Sequence, residues 1–573
     1  MNRSKARLVL LFSRLTVVLL ALILGLGRSQ AAPADSVVGT GTPASCTPAA
    51  FHAGVLAAGW GGTITFNCGP DPYILTLDGS YGLGVSLTFD GGGSVAQGGL
   101  ITLSGGHRHS IFYVNPGVTV ALRNITLADG ETPGNGGAIT NQGTLSLFNT
   151  TIRDSHAAGD GGGIFNQGGT LHILDATIQN NQAGGSGGGV FNTNSYAPYT
   201  DGVLDFLGAV IKGNRADVQG GGIFSLSTGR LVDSPLQENS AGGAGGGLFV
   251  GAGDFAMSGA LVMNNTSGQS GGGVATESGH VTLSHMNIWL NRAVTDGGGL
   301  AVWSLGGSAQ VMDSDFFQNQ TTGQKPPANN SNAAGGAISN SGSLTLRRVS
   351  LRENSAGQGG GLYNASNAAS LDIQEANVSA NVSDTDGGGL ALDATHAQTM
   401  TNVTVSGNSA ASQGGGLESS GTLLLQNVTL FANSAPDGAN LYQAGATTLR
   451  NTALGGPVTG PNCGFQGNPQ PIISGGHNLS SDASCGLSGA GDQQNKDPLL
   501  APLAFNGAAN GGSTYSAYAH LPQTGSPLID AGDNANCPAT DQRFYARPAG
   551  PSCDIGAVEV GAQPANTPTP TTT

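Results

Sequence analysis

The chain has 573 residues, of which 97 are glycine, while only 10% are charged and 5% aromatic. Glycine this abundant without a three-residue period excludes collagen, and a 38% share of hydrophobic residues, with the aliphatics at fixed positions, argues against low-complexity disorder. A net charge of −15 with no basic stripe excludes nucleic acid as a partner and disfavours polyanions held by charge.

In chain order, Arg3, Lys5 and Arg7 precede the apolar stretch LTVVLLALILGLG (15–27), and Ser29-Gln30-Ala31 fits a small-x-small cleavage site. This predicts a signal segment over 1–31 and an exported mature chain. An uncleaved anchor is the alternative, but the stretch falls short of the ~20 residues a membrane span needs. No later segment approaches that length, so a mature chain with no transmembrane span is expected, as a monomer. Six cysteines suit an oxidising compartment. They fall as sequence-local pairs, and Cys46–Cys68, Cys463–Cys485 and Cys537–Cys553 are the bridges expected among the many connectivities possible. No CxxC and no histidine near a cysteine points to zinc.

Residues 32–120 read as an N-terminal cap and first coils. TPAAFHAGVLAAGWGG (47–62) predicts a capping helix with Thr47 as N-cap, Pro48 as first helical residue and Gly59 as its stop. The region 121–455 is repetitive. With the third residue of each GGG (or the Ala of GGA) as position zero, stations fall at Ala138, Gly163, Gly189, Gly222, Gly247, Gly273, Gly299, Ala337, Gly361, Gly389 and Gly416, with a degenerate one at Asn440. Such a period of about 24 to 28 residues, with two insertions, signals a solenoid. Position +1 is aliphatic at every station, from Ile139 to Leu441. Position −11 is Ile152, Ile178, Ile211, Leu236, Val262, Ile288, Val378 and Val405, and position −8 is Asn181, Asn214, Asn239, Asn265, Asn291, Asn381 and Asn408. Between stations, segments such as GTLSLFNTTIRDS (143–155) alternate apolar and polar residues, the strand period. The fold class read from this is all-β, a single-stranded right-handed parallel β-helix of roughly 14 to 16 coils, on the order of 70 Å long at the strand spacing. The +1 and −11 aliphatics point inward, glycines serve the corners, and the −8 asparagines form a ladder at a corner where Asn tolerates the left-handed region. The insertions at 192–202 and 321–334 map to loops. From 456 to 560 a β-rich, cysteine-containing region follows, and 561–573 is a Thr/Pro-rich tail.

The GGGI/GGGL stations with upstream Asn-Ser-Ala resemble the repeats of the chlamydial polymorphic outer-membrane proteins and related adhesin-like β-helices. The stretch ATDQRFYARPAGPSCDIGAVE resembles the C-terminal signature of choice-of-anchor Q surface proteins, through Asp541/Arg543, Arg547/Pro548 and Asp554 to Glu559. The resemblance implies an exported, surface-displayed β-helix. It departs from the chlamydial type in showing no outer-membrane barrel, and it shows no LPxTG-like sorting motif, which leaves the anchoring mode open.

Two functional readings follow. The first is a secreted or cell-surface rod with a structural, adhesive or carbohydrate-binding role and no turnover, its partner an extracellular polysaccharide or a cell-surface protein. The second is a polysaccharide lyase or glycoside hydrolase on the same scaffold. A lyase needs calcium on several carboxylates with an Arg or Lys base nearby. Asp313/Asp315 and Asp384/Asp386 are the candidate metal pairs, but Asp384-Thr-Asp386-Gly387 carries Thr395 where a calcium loop needs Glu, so no cofactor is expected beyond a structural calcium there. Arg153 and Lys212 lie two coils apart, and no convergent Arg–Asp set is read. For binding, Phe165, Phe191, Phe224 and Phe249 share position +2 on four successive coils. They read either as an outward aromatic strip for sugar faces or a protein, or as a stack tucked under a loop or corner. The Asn-x-Ser/Thr triplets at Asn377, Asn402 and Asn427 read as ladder asparagines followed by strand residues rather than glycosylation sites.

Overall fold

The structure is a computed structural model that describes residues 34–565 apart from 93–99, 195–200, 324–332, 468–471, 508–514 and 516. The expected signal segment, the tips of both insertions and most of the Thr/Pro tail lie outside the described residues. Within them the chain winds as a right-handed parallel β-helix. One turn runs through strands Thr144–Phe148 and Thr151–Arg153, then His156–Ala157, then Ile164–Gln167. The next repeats it at Thr170–Leu174, Thr177–Gln179, Gln182–Ala183 and Val190–Thr193. Stacked turns give a long face of 32 strands, a short face of 11 and a glycine face of 15.

Register is kept because identical positions pair directly: Ile139 with Ile164, Ile164 with Val190, Ile152 with Ile178. The +1 aliphatics from Ile139 to Leu441 are all 0% exposed, as are the −11 residues. Together they form one continuous core down the axis. Each glycine of a triplet answers a different constraint, as Gly161-Gly162-Gly163 shows. Gly161 has φ 68, a left-handed turn that favours glycine. A Cβ on Gly162 would lie 2.4 Å from backbone atoms of Gln182 and Gly188 in the next turn, and one on Gly163 would lie 2.7 Å from the Gly189 carbonyl oxygen.

The −8 asparagines form an unbroken internal ladder that also takes in Asn319, Asn354 and Asn433. Asn265 is representative. Its Nδ2 donates to the Leu236 carbonyl at 2.9 Å and to Asn291 Oδ1 at 3.0 Å, while its Oδ1 accepts from the backbone N–H and Nδ2 of Asn239. Every polar atom of a 0%-exposed amide is thereby satisfied. The left-handed residue is not the ladder asparagine itself but the one before it, as at Asn180, Asn264, Leu290 and Gln318, with φ 53 to 57. That residue makes the bend and faces outward, which frees the asparagine to turn inward.

The N-terminal opening of the core is closed by helix α1 (Pro48–Ala58). Thr47 accepts from the Ala50 N–H, Pro48 is the first helical residue and Gly59 (φ 56) ends the helix, as the sequence predicts. Phe51 plugs the first turns, edge-on to Tyr81 and against Phe89. The Cys46–Cys68 bridge ties this cap to the first strands, and Cys463–Cys485 closes the other end.

Beyond Gln494 the chain leaves the solenoid, and the expected β-rich character stops there. The described residues that follow hold one short antiparallel pair, Ala504–Phe505 with Tyr518–Ala519. This segment folds back along the outside of the long face. Asn402 Nδ2 donates to the Thr540 carbonyl at 2.7 Å, Thr429 Oγ1 accepts from the Ala557 N–H at 3.0 Å, Ser406 bonds His520, and Asn451 Nδ2 donates to the Asp533 carbonyl. The signature residues hold the segment's shape. Asp541 takes Arg543 through Nε and Nη2 at 2.9 and 2.7 Å, Arg547 donates to the Asp554 and Gly556 carbonyls, and Glu559 accepts from the Ala549 and Asp554 N–H groups. All five side chains are buried. Asn377, Asn402 and Asn427 are buried as well, the latter two spent on this clamp. The expected third bridge is not formed: Cys537 and Cys553 stand as thiols, hydrogen-bonded to each other. Cys553 is pushed up by donating to Cys537 and by burial.

Two expected outcomes test this description. Asn265→Ala strands the Leu236 carbonyl and breaks the ladder, and it should lower stability by about 3 kcal/mol, whereas Asn264→Gly, at the exposed left-handed corner, should change it by well under 1 kcal/mol; chemical denaturation of both variants checks this. Protein treated with a disulfide oxidant should lose both remaining alkylatable thiols as one intramolecular bond, read by intact mass after peptide mapping.

Candidate functional site

The phenylalanines at +2 do stack in register, with ring centroids 5.3, 4.7 and 5.2 Å apart and planes within 21°. They are not an open strip. Phe165, Phe191 and Phe224 are 7–8% exposed and Phe249 1%, in a cluster with Ala244, Ala275 and Ala301. The corner glycines fold over them, since a Cβ on Gly187 would lie 2.8 Å from that of Phe191. The rings spend their faces on one another and stiffen this face of the rod.

The aspartate pairs also separate. Asp313 is held bidentately by Arg348, with Nε at 2.6 Å and Nη2 at 2.8 Å, and Asp315 likewise by Arg352 at 3.0 and 2.8 Å. Trp289 Nε1 adds a third bond to Asp315, and Glu375 meets Arg347 and Arg348. This is a convergent Arg–Asp set where the sequence showed none. Asp313 and Arg348 occupy the same left-handed corner on adjacent turns (φ 50 and 53), but the insertion sets them 35 residues apart and hides the pairing. The C-terminal segment lies over this set, with Phe544 against Arg347 and Arg348 and Tyr518 against Arg352. Its charges are thus mutually neutralised and covered. Among the described residues no group of three or more His, Cys, Asp or Glu could hold a metal ion.

Further along the rod, the same +2 row that carries the phenylalanines changes character. Tyr363, Ala391, Glu418 and Tyr442 pair in register on four successive turns of the glycine face. Beside them, at the corner, Asp386, Gln413 and Asp437 bridge turn to turn. Asp393, two residues beyond Ala391, reaches into the row. It bonds the Tyr363 hydroxyl and the Glu418 carboxyl, and it accepts from Ser420 Oγ at 3.4 Å. Glu418 is 5% exposed, and its Oε2 is buried without a hydrogen-bond donor. Burial and the Asp393 and Asp386 charges push its carboxyl up to about 9. It therefore keeps its proton at neutral pH and shares it in a hydrogen bond with Asp393. Burial raises the Tyr363 hydroxyl too, reinforced by Asp393. Asp296, nearer the chain's centre on the same corner row, is raised by burial, against hydrogen bonds from Thr295, Ser270 and the Ala334 N–H. Between 353 and 449 the chain has eight carboxylates and no Lys or Arg. What these turns present is an acceptor-rich, tyrosine-lined face. Asp384 and Asp437 are exposed on it, Tyr363, Asp386 and Asp393 half-buried, and Glu418 lies behind.

No family model matches the chain, and no curated protein matches it. Among solved structures, a pectate lyase, Pel9A, aligns over 89% of this chain and 90% of its own at 12% identity and a TM-score of 0.22, a likeness that carries no weight for fold or chemistry. No helix of the described residues is long and apolar enough to cross a membrane.

The Glu418 environment has a measurable consequence. The unfolded carboxyl loses its proton near pH 4.5 and the folded one only near 9, so the folded state binds the extra proton across that window and its stability falls as pH rises through it. Glu418→Gln keeps the donor to Asp393 without titrating. Its thermal midpoint should exceed that of the wild type increasingly from pH 5 to pH 8.5. Parallel pH profiles would contradict the assignment.

Proposed function

We propose that this protein is an exported, rod-shaped polysaccharide-binding protein without turnover, and that the face around Tyr363, Asp393, Glu418 and Tyr442 is its contact surface. One observation carries the choice of binding over hydrolysis: the two innermost carboxyls are in direct hydrogen-bond contact. The carboxyls of a glycosidase flank the scissile bond at about 5 to 9.5 Å, and a pair that touches leaves no space for a sugar between its members. A lyase would need a cationic base beside an acidic sugar, and no Lys or Arg occurs from 353 to 449. Hydroxyl-rich ligands suit the face, because sugar O–H groups donate to its surplus of carboxylate oxygens and C–H faces lie against tyrosine rings.

On an immobilised polysaccharide panel, the mature chain should be retained without release of reducing ends or unsaturated products, with or without chelator. Tyr363→Ala should weaken retention about tenfold, in line with the loss of one aromatic contact. Chelator-sensitive product release would overturn the reading.

A further inference from the structure

We infer that Cys537 and Cys553 form a thiol–disulfide exchange site that latches the C-terminal segment onto the rod, with Cys537 as the sulfur that meets an incoming disulfide. Four of the other cysteines lie buried in the bridges at the two ends of the solenoid. Cys553 is buried too, and Cys537 alone is half-exposed. The two sulfurs are in hydrogen-bond contact, and the guanidinium of Arg547 lies beside Cys537. That guanidinium is buried, and its Nε has no acceptor, standing 3.8 Å from the Glu559 carboxylate. A thiolate at Cys537 gives this N–H and this charge a partner. Consistent with that, the Cys553 thiol donating to Cys537 holds it below the usual thiol range, against its burial and with the Arg547 charge assisting. An accessible sulfur beside a cation is the one that attacks and leaves readily, and a buried protonated neighbour is the one that resolves.

The step balances with a disulfide R–S–S–R as oxidant. The Cys537 thiolate attacks one of its sulfurs, a mixed disulfide forms at Cys537, and one R–S⁻ leaves. Cys553 then gives up its proton and attacks the Cys537 sulfur, the Cys537–Cys553 bond forms, and the second R–S⁻ leaves. Two electrons pass from the cysteines to R–S–S–R, and the two thiol protons end on two R–SH. The place of the pair gives the bond its effect. Each cysteine adjoins a backbone group that the rod holds: Gln426 Nε2 donates to the Asn536 carbonyl at 2.6 Å, and Asn427 Nδ2 to the Asp554 carbonyl at 3.3 Å. Asn451 Nδ2 spans both arms, reaching the Asp533 carbonyl at 3.2 Å and Cys553 Sγ at 3.8 Å. The bond ties these two arms together and closes the loop that carries Asp541, Arg543 and Arg547. It thereby removes conformations open to the segment when it lifts off the long face, while the docked state already has the sulfurs together.

The test uses the mature full-length chain and glutathione as the probe. Wild-type protein is equilibrated in buffers of graded glutathione to glutathione-disulfide ratio, then alkylated and mapped by mass. Cys537 and Cys553 should convert together, dithiol to bond and back, in buffers that leave Cys46–Cys68 and Cys463–Cys485 intact. With glutathione disulfide alone, Cys553→Ser should take up one glutathione at Cys537, and Cys537→Ser should take up none at Cys553 over the same time. Limited proteolysis of the wild type should cut the C-terminal segment about tenfold more slowly in the bonded form than in the dithiol form, since cleavage follows the population of the lifted segment. Conversion of all three pairs in the same buffers would overturn the inference, and this reading needs no variant to fold. Equal uptake at Cys553 in Cys537→Ser would overturn the order of attack and with it the exchange site. Equal proteolysis of the two forms would overturn the latch.

Discussion

Everything in this molecule depends on turns that stack in register. Backbone hydrogen bonds between adjacent turns repeat at about 4.8 Å, so a residue type placed at one position of the repeat becomes a row along the rod. Aliphatics at +1 and −11 become a core. Phenylalanine at +2 becomes a buried stack. Asparagine at −8 becomes a wire of amides in which every donor and acceptor is used. The same rule produces the candidate site, because replacing phenylalanine by Tyr363, Glu418 and Tyr442 in the +2 row turns an apolar stack into a polar face without altering the backbone beneath it.

The two charged assemblies of the protein contrast instructively. Both gather carboxylates at turn-to-turn spacing. One closes each on an arginine fork and lies beneath the C-terminal segment, an arrangement in which ion pairs hold a covering element in place. The other is left with a proton between two carboxyls and with Asp386 close by. A buried carboxyl kept protonated costs stability above its ordinary titration range, and a structural role does not need that cost, since alanine or phenylalanine occupies the same row elsewhere.

Much of the fold was legible because the repeat exposes it. The GGG stations fixed the register, position +1 announced the core twelve times, and Thr47, Pro48 and Gly59 delimited α1. What escaped the sequence depended on relations between rows rather than within one. The direction of the +2 phenylalanines turns on a corner that folds back over them. The bend falls on the residue before each ladder asparagine, a position occupied variously by Asn, Gly, Glu, Leu, Gln and Ala and so without a composition signal. The Arg348–Asp313 pair was masked by an insertion. Glu418 appeared once, and only its +2 alignment with Tyr363 and Tyr442, together with Asp393 on the preceding turn, marks it; laying the +2 and +4 rows side by side would have found it. The C-terminal signature was recognisable as a motif, yet its role as a clamp on the long face required the contacts of Asn402, Thr429 and Asn451.

The central claim, that the tyrosine–carboxylate face is where this rod meets a polysaccharide, is tested most directly by oxidative footprinting of the mature chain in the presence and absence of a retained polysaccharide. The account predicts protection concentrated at Tyr363 and Tyr442, with Tyr113 and Trp303 at other points of the glycine face modified as in the free protein. Protection centred on Tyr113 or Trp303, or distributed evenly along the rod, would contradict it.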